Sequence, residues 1–486
     1  MDQNFVPPGK PGAIVRDLRG RIIAGTLRPG ERVPSTRQLA AHSGVSRGSV
    51  VAAYEQLVGE GWLVATPAGT RVNPQVRTTL LLDAPCPPPA ATVAPRPRGT
   101  AGGALRPGIP DTGPLASTAW RRAWRQAAAQ PSLGAPPAGD PRLIAQVTEH
   151  VRWSRSVPDA DRAAVITGGA RSGLALVLQA LAARAGRPLR VAVEDPGYPS
   201  LRQVPQRAGH TAVPVPVDAD GMSLAALAAR EAEGGNLDAV LVTPCHQYPM
   251  GGAMTAARRV ALLQWAARAG VWVIEDDFDS ELRYVGDPVP ALASMDSAGV
   301  VVTVGSFAKS LTPGLGLGFV IVPHPLRADV LAAAASGTPV SGIVQDAVAT
   351  FLEDGGLRTH IARMRRAYRR RRHLLHSILT PACAPAPGVR VLPMDGGLNA
   401  VVALPDAAAE QRVAAAARRA GLGVAALEDY WYTAAAQRAR TEAGVVVGIG
   451  AARSEDALAR SLRTLAHIVV AAAPTGTGAP DLTGGR

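Results

Sequence analysis

Six short apolar runs rich in Val, Ile and Leu recur at residues 163–167, 190–193, 239–243, 271–274, 300–304 and 317–322. Each is short, β-branched and continuous in its apolar character, as strands buried on both faces are. Helix-length stretches separate most of them, and that alternation implies an α/β fold built on a parallel sheet. Ligands in such sheets bind beyond the carboxyl ends of the strands. Five segments at those ends carry the residues with chemistry: Gly168-Gly169-Ala170, Glu194-Asp195-Pro196-Gly197-Tyr198, residues 243–249, Glu275 to Phe278, and Ser306 to Lys309.

Lys309 stands out against the composition. Of 51 basic side chains only Lys10 and Lys309 are lysines. A desolvated lysine amine can form a Schiff base, whereas a guanidinium cannot. A lysine on a loop between two buried strands is therefore a candidate anchor for an aldehyde cofactor, the alternative being an ordinary surviving surface lysine. A phosphorylated pyridine aldehyde needs an amine, an acid for its ring nitrogen, donors for its phosphate and a flat partner for its ring. Lys309, Asp276, the turn Gly168-Gly169-Ala170 at a helix amino terminus, the Ser306 hydroxyl and the Tyr198 ring can meet those needs.

The first part of the chain has a different pattern. Residues 14–24 show helical spacing, Leu27-Arg28-Pro29-Gly30 is a turn, Ser35 can cap a second helix and Ser46 a third. Strand, turn and strand follow through Gly61-Trp62-Leu63-Val64, Pro67-Ala68-Gly69 and Thr70-Arg71-Val72. This is the plan of a winged helix-turn-helix, whose third helix enters the major groove amino-terminal end first. Ser46, Arg47, Gly48 and Ser49 would then meet base edges, with Arg37 on a phosphate and Arg71 on the wing. The net charge of +13 agrees with a polyanionic partner. Seven prolines between Pro85 and Pro107 predict an extended linker. The expected organisation is a head over residues 11–77, a linker over 78–110, a body over 111–472 and a disordered tail over 473–486. Cys86, Cys245 and Cys383 have no metal-ligand spacing, and no signal core or membrane-length apolar run is present, so a cytoplasmic protein is expected. The arginine-rich run from Arg363 to Arg372 reads as a solvated helix face.

Two resemblances sharpen this. The sequence RIIAGTLRPGERVPSTRQLAAHSGVSRGSVVAAYEQLVGEGWLVATPAGTRV resembles the DNA-binding domain of the GntR regulators. By that resemblance Arg37, Ser46, Arg47, Gly48, Ser49 and Arg71 contact operator DNA. The motifs VEDPGYPS, VTPCHQYPMGG, VIEDDFDSELRY and VGSFAKSLTPGLGLGF resemble those of fold-type I, pyridoxal-phosphate-dependent aminotransferases. In order, they look most like MocR regulators, which join a GntR head to an aminotransferase-like body. The resemblance implies pyridoxal 5'-phosphate bound as a Schiff base on Lys309, a homodimer formed through the body, and an amine or amino-acid effector.

Departures from the family pattern fall around the same cofactor. Gly316 in PGLGLGF replaces an arginine that would bind phosphate, and Phe278 in EDDFDSE replaces a tyrosine. The tyrosine expected before GDPRG is absent from Pro136-Pro137-Ala138-Gly139-Asp140, and no carboxylate-anchoring arginine appears in Val445-Val446-Val447-Gly448. Gly316 and Phe278 imply loosened cofactor binding, for which Arg171 on the phosphate helix is a candidate compensation. The leading expectation is a DNA-binding regulator that senses the cofactor, with no catalytic residues assigned. A working aminotransferase with an accessory head, or a regulator whose body has lost the cofactor, are the alternatives.

Overall fold

The computed structural model describes residues 11–76, 103–158, 162–286, 290–432 and 442–472. The chain divides into two units, Met1–Gly99 and Thr100–Arg486. The expected tail over 473–486 and most of the expected linker lie outside the described residues.

In the first unit, α1 (Pro11–Ile23), α2 (Thr36–Ser43) and α3 (Arg47–Gly59) precede a hairpin of β1 (Leu63–Thr66) and β2 (Gly69–Val72). The helices begin where the serines dictate. Ser35 forms a reciprocal capping box with Gln38, and the Ser46 side chain accepts from the Ser49 N–H. Ile14, Leu18 and Ile22 from α1 meet Val50, Tyr54 and Leu57 from α3, and Leu63 and Val72 close the core from the hairpin. The Tyr54 hydroxyl donates to the Pro34 carbonyl at 2.7 Å, so the polar end of this core ring is satisfied.

The second unit is built on eight strands: β3 (Arg162–Thr167), β4 (Arg190–Asp195), β5 (Thr211–Asp218), β6 (Gly221–Met222), β7 (Ala239–Val242), β8 (Trp272–Asp277), β9 (Val301–Ser306) and β10 (Gly318–Pro323). Their order is β3-β10-β9-β8-β7-β4-β5-β6. Successive residues of one strand face different cores. Val165, Val191, Val302 and Val320 join Leu174 and Leu178 of the helix α4 (Ala170–Ala185). Ala164, Ala192, Val301 and Ile321 join Leu143, Val147 and Val151 on the other face.

The sheet is mixed, which corrects the expected parallel arrangement. β5, β4, β7, β8 and β9 run parallel, but β10 is antiparallel to both β9 and β3. A loop of eleven residues between β9 and β10 turns back directly, and no crossover helix separates the two strands. The strand β5 went unpredicted because it contains Pro214 and Pro216. Both face the sparsely paired side of β5, where β6 bonds only residues 217 and 218 and a missing N–H costs no ladder bond.

A smaller, wholly antiparallel sheet orders β11 (Arg390–Val391), β12 (Asn399–Leu404), β14 (Ala443–Gly448) and β13 (Ala425–Ala426) as β11-β12-β14-β13. It packs with the long helix α5 (Gly356–Cys383) and the carboxyl-terminal helix Glu455–Ala472. The arginine run on α5 is not uniformly solvated, a second correction. Arg371 is 5 % exposed. It donates to the Ile449 and Gly450 carbonyls and pairs with Asp111 at 2.6 Å.

The linker boundary is the third correction. Residues 103–110 belong to the body: Leu105 is fully buried, its N–H donates to the Leu422 carbonyl, and its carbonyl accepts from Gly448 N–H at 2.8 Å. Proline density alone suggested an exposed tether, but these residues form a strap along the edge of β14.

Candidate cofactor site and nucleic-acid interface

Because β3 runs in the same direction as β9, the carboxyl ends of β3, β4, β7, β8 and β9 all meet at one edge of the sheet. A cavity of about 360 Å³ opens there. Every cofactor-site residue predicted from the sequence lines it: Gly169, Ala170, Arg171, Tyr198, Asp276, Ser306 and Lys309. Gly316 and Phe278 line it as well.

Lys309 is half-buried. Desolvation pushes its amine below the usual lysine range, while Asp279 and Asp276 pull the other way. Nucleophilic attack on a carbonyl needs the neutral form of the amine, the form that desolvation favours. Asp276, at the end of β8, is 5 % exposed and is held well above the usual carboxylate range, first by burial and then by Asp277, Asp279 and Glu194. Its Oδ1 has no hydrogen-bond partner among the described residues. A buried carboxylate oxygen left without a donor is costly, and a protonated ring nitrogen would supply that donor. Neighbouring acids have charged or hydrogen-bond partners, although Asp277 Oδ1, like Asp276 Oδ1, has none among the described residues. Asp277 pairs with Arg155 at 2.7 Å, and buried Glu194, pushed up to about 6, accepts from the Thr243 N–H.

The candidate anion cradle is shaped by glycine. Gly169 precedes α4 at φ 99° with no side-chain cap, so the first N–H groups of the helix are free to bind an anion. A Cβ on Gly318 would lie 2.8 Å from the Gly169 Cα, which explains why β10 begins with glycine beside this turn. Arg171 sits in the first turn of α4, exposed, with Nη1 donating to Ser200 Oγ at 3.2 Å. Gly316 adopts φ 54° and a Cβ there would meet nothing within 4 Å, leaving open space where the family arginine would stand. Ser306 Oγ accepts from Ala308 N–H, which shapes the turn leading to Lys309. Tyr198 lies at the rim, 41 % exposed, with its ring edge-on to Tyr248 at 5.3 Å. The residues present therefore fit a phosphate-bearing pyridine aldehyde, with Phe278 giving a ring contact but no hydroxyl.

The sequence reading missed Arg106, Pro107, Gly108 and Ile109 of the strap, which form a wall of the cavity. Apolar Leu105 among the prolines was the available signal.

In the head, Arg37 and Arg47 are exposed, and neither guanidinium has a partner among the described residues. Ser46 and Ser49 hydroxyls lie 2.9 Å apart at the start of α3, with Gly48 exposed between them. Arg71 departs from expectation. Its Nη1 donates to the Gly30 carbonyl at 3.0 Å, so it braces the hairpin base instead of extending from it. Arg32 pairs with Arg71 across a backbone bridge, and its guanidinium lies along the wing toward Gly69, where a Cβ would come within 2.9 Å of Nε. Residues directly opposite on paired strands share a face; the two arginines lean apart along it.

The fold and cavity define a two-part protein: a winged helix-turn-helix head and a fold-type I aminotransferase body, of a fold family that binds pyridoxal phosphate. Residues 12–72 match the family of bacterial regulatory proteins of the gntR type, and residues 108–474 match aminotransferase class I and II. The chain is 40 % identical over 455 residues to the HTH-type pyridoxine biosynthesis transcriptional regulator PdxR of Corynebacterium glutamicum, covering 93 % of this chain and 94 % of that protein. It is 33 % identical to the probable rhizopine catabolism regulatory protein MocR of Rhizobium meliloti, over 73 % of this chain and 74 % of that one. The kynurenine aminotransferase of Pyrococcus horikoshii shares the body fold, with TM-score 0.66 at 22 % identity over 76 % of this chain and 91 % of that chain. The chain belongs to the MocR-type branch of the GntR transcription regulators.

Proposed function

We propose that this regulator senses pyridoxal 5'-phosphate, or its adduct with a small amine or amino acid, through covalent attachment at Lys309. The observation that carries this is a half-buried, desolvated amine and a buried, unpartnered Asp276 oxygen lining one cavity. Gly169, Ala170 and Ser306 would hold the phosphate, Arg171 would add the charge absent at Gly316, and Tyr198 would cover the ring. When bound, the cofactor supplies an electrophilic carbon and a ring that accepts electron density. The protein would contribute the rest: Lys309 would supply the amine, and Asp276 would keep a proton on the ring nitrogen.

The likeness to a pyridoxine biosynthesis regulator supports a role in vitamin supply. The body would form a homodimer in the cytoplasm, presenting two heads to operator DNA. Arg37, Arg47 and Gly48 would enter or flank the major groove, Ser46 and Ser49 would order the helix start, and Arg32 beside Arg71 would reach the phosphates from the wing. The body would act as a sensor, not as a working transaminase, since no arginine stands in β14 to anchor a substrate carboxylate.

The test is titration of the full-length protein with pyridoxal phosphate, followed by borohydride reduction and peptide mass mapping. Label on Lys309, together with a change in DNA mobility on cofactor addition, is the expected result. Absence of label at saturating cofactor would point to a body that no longer binds it.

A further inference from the structure

The strap holds the reactive lysine. Lys309 Nζ donates to the Gly108 carbonyl at 2.6 Å, and a Cβ on Gly108 would lie 3.1 Å from that nitrogen. Gly108 has φ 71°, a conformation suited to glycine, and its N–H donates to Asn399 Oδ1 at 2.7 Å. Asn399 is 3 % exposed at the start of β12, so the side chain that holds the 107–108 peptide, joined through the Gly108 Cα to the carbonyl facing Lys309, is itself fixed. The strap is fastened on both sides. Leu105 bonds Leu422 and Gly448, while the Asp111 N–H donates to the Tyr368 hydroxyl and its carboxylate pairs with Arg371. Gly448 and Gly450 are needed for this approach: a Cβ on either would lie 2.1 Å from the Arg106 or Ile109 carbonyl oxygen.

We propose that Asn399 is a positioning residue for Lys309, acting through the backbone conformation of Gly108, whose N–H it holds and whose carbonyl faces the lysine, and that this relay sets how readily the lysine captures an aldehyde. The relay rests on the proposed attachment of cofactor at Lys309. Capture joins the lysine nitrogen to the aldehyde carbon as C=N and expels the aldehyde oxygen as water, which carries the two hydrogens of the neutral amine. A carbonyl aimed at Nζ favours the ammonium form, since an ammonium group makes the stronger, charge-assisted bond. Capture then leaves no amine hydrogen for Gly108, so the strap's central contact and the covalent bond compete for one nitrogen. The charged groups around Lys309 are Asp276 and Asp279, with Arg106 on the strap and Arg171 across the cavity. None of these is on the strap's far side, where Asn399 acts alone on Gly108 N–H.

The relay is tested in the full-length protein by the pH profile of pyridoxal phosphate capture, read by absorbance, and by amide hydrogen exchange over residues 103–111. Asn399→Leu removes the acceptor, and its capture midpoint should fall by about one pH unit, with about tenfold more capture below the midpoint. Asn399→Asp keeps an acceptor oxygen and should hold the midpoint at or above the wild-type value. An unchanged midpoint in Asn399→Leu, with its strap exchanging faster, would overturn the relay, because the strap would then move without acting on the lysine. A second arm needs neither cofactor nor an Asn399 variant. Lys309→Ala without ligand should speed exchange in residues 103–111 about tenfold, and unchanged exchange would also overturn the relay. If no protein captures the aldehyde, the proposed cofactor sensing fails, while the Lys309→Ala arm still decides whether lysine and strap are coupled.

Discussion

Gly316→Arg separates two energies that are usually confounded. The position lines the cavity at φ 54°, and a Cβ there meets no atom within 4 Å. An arginine therefore fits sterically, but at a backbone conformation costing a non-glycine residue roughly 1–2 kcal/mol. That cost is present with and without cofactor, so it lowers folding stability and leaves affinity untouched. The new guanidinium bonds to phosphate only when cofactor is bound, and a charged hydrogen bond contributes about 1.5–3 kcal/mol. At about 1.4 kcal/mol per decade, that is roughly a ten- to hundredfold gain in affinity. Arg171→Ala should move affinity the other way, and adding Gly316→Arg to it should recover the loss. Fluorescence or absorbance titration with pyridoxal phosphate reads the affinity, and thermal unfolding of the ligand-free protein reads the strain. Should Gly316→Arg lower the melting temperature without tightening binding while Arg171→Ala leaves binding unchanged, the phosphate does not lie between these two positions. The seating of cofactor against α4 would then be wrong.

Four other expectations follow from single side chains. Asp276→Asn should stabilise the ligand-free protein by about 1–2 kcal/mol at pH 8, by removing a buried carboxylate with an unpartnered oxygen. The sign follows from the raised folded pKa: the wild type pays for ionisation above that pKa and gains stability as pH falls through it toward the unfolded value, whereas the variant lacks this dependence. Unfolding curves from pH 5 to pH 8 that superimpose in shape would refute it. Arg32→Ala should reduce the slope of log affinity against log salt for duplex DNA by about 0.9, the value of one phosphate contact, in fluorescence anisotropy. Arg71→Ala should mainly lower the melting temperature of the head by breaking its bond to Gly30, and a larger salt effect from Arg71 than from Arg32 would reverse the assignment. Arg371→Met should destabilise the body by roughly 3–5 kcal/mol in denaturant unfolding, since it strands Asp111 and two carbonyls. A loss below about 1 kcal/mol would mean that the arginine is replaceable by packing.

What the chain states by itself is local. Ser35 and Ser46 start helices wherever they occur before helix-forming residues, because a cap needs only its own next three residues. The continuous apolar runs mark buried strands, and a strand's carboxyl end is a place for ligands in any α/β sheet. Lys309, Asp276 and the glycine turn were legible for that reason: each sits at such an end. Pairing between distant segments is not written locally. Whether β10 returns beside β9 or crosses over depends on how the whole sheet closes, and the sequence of β10 is equally apolar either way. Proline density could not distinguish a tether from a strap, because prolines only exclude helix and sheet bonds, while Gly448, Gly450 and Asn399 decide where the strap lies. Likewise, an arginine's charge is local but its acceptors are not. Arg371 was drawn inward by carbonyls 78 and 79 residues away, and Arg71 by one 41 residues away, and only the folded chain brings those oxygens within reach.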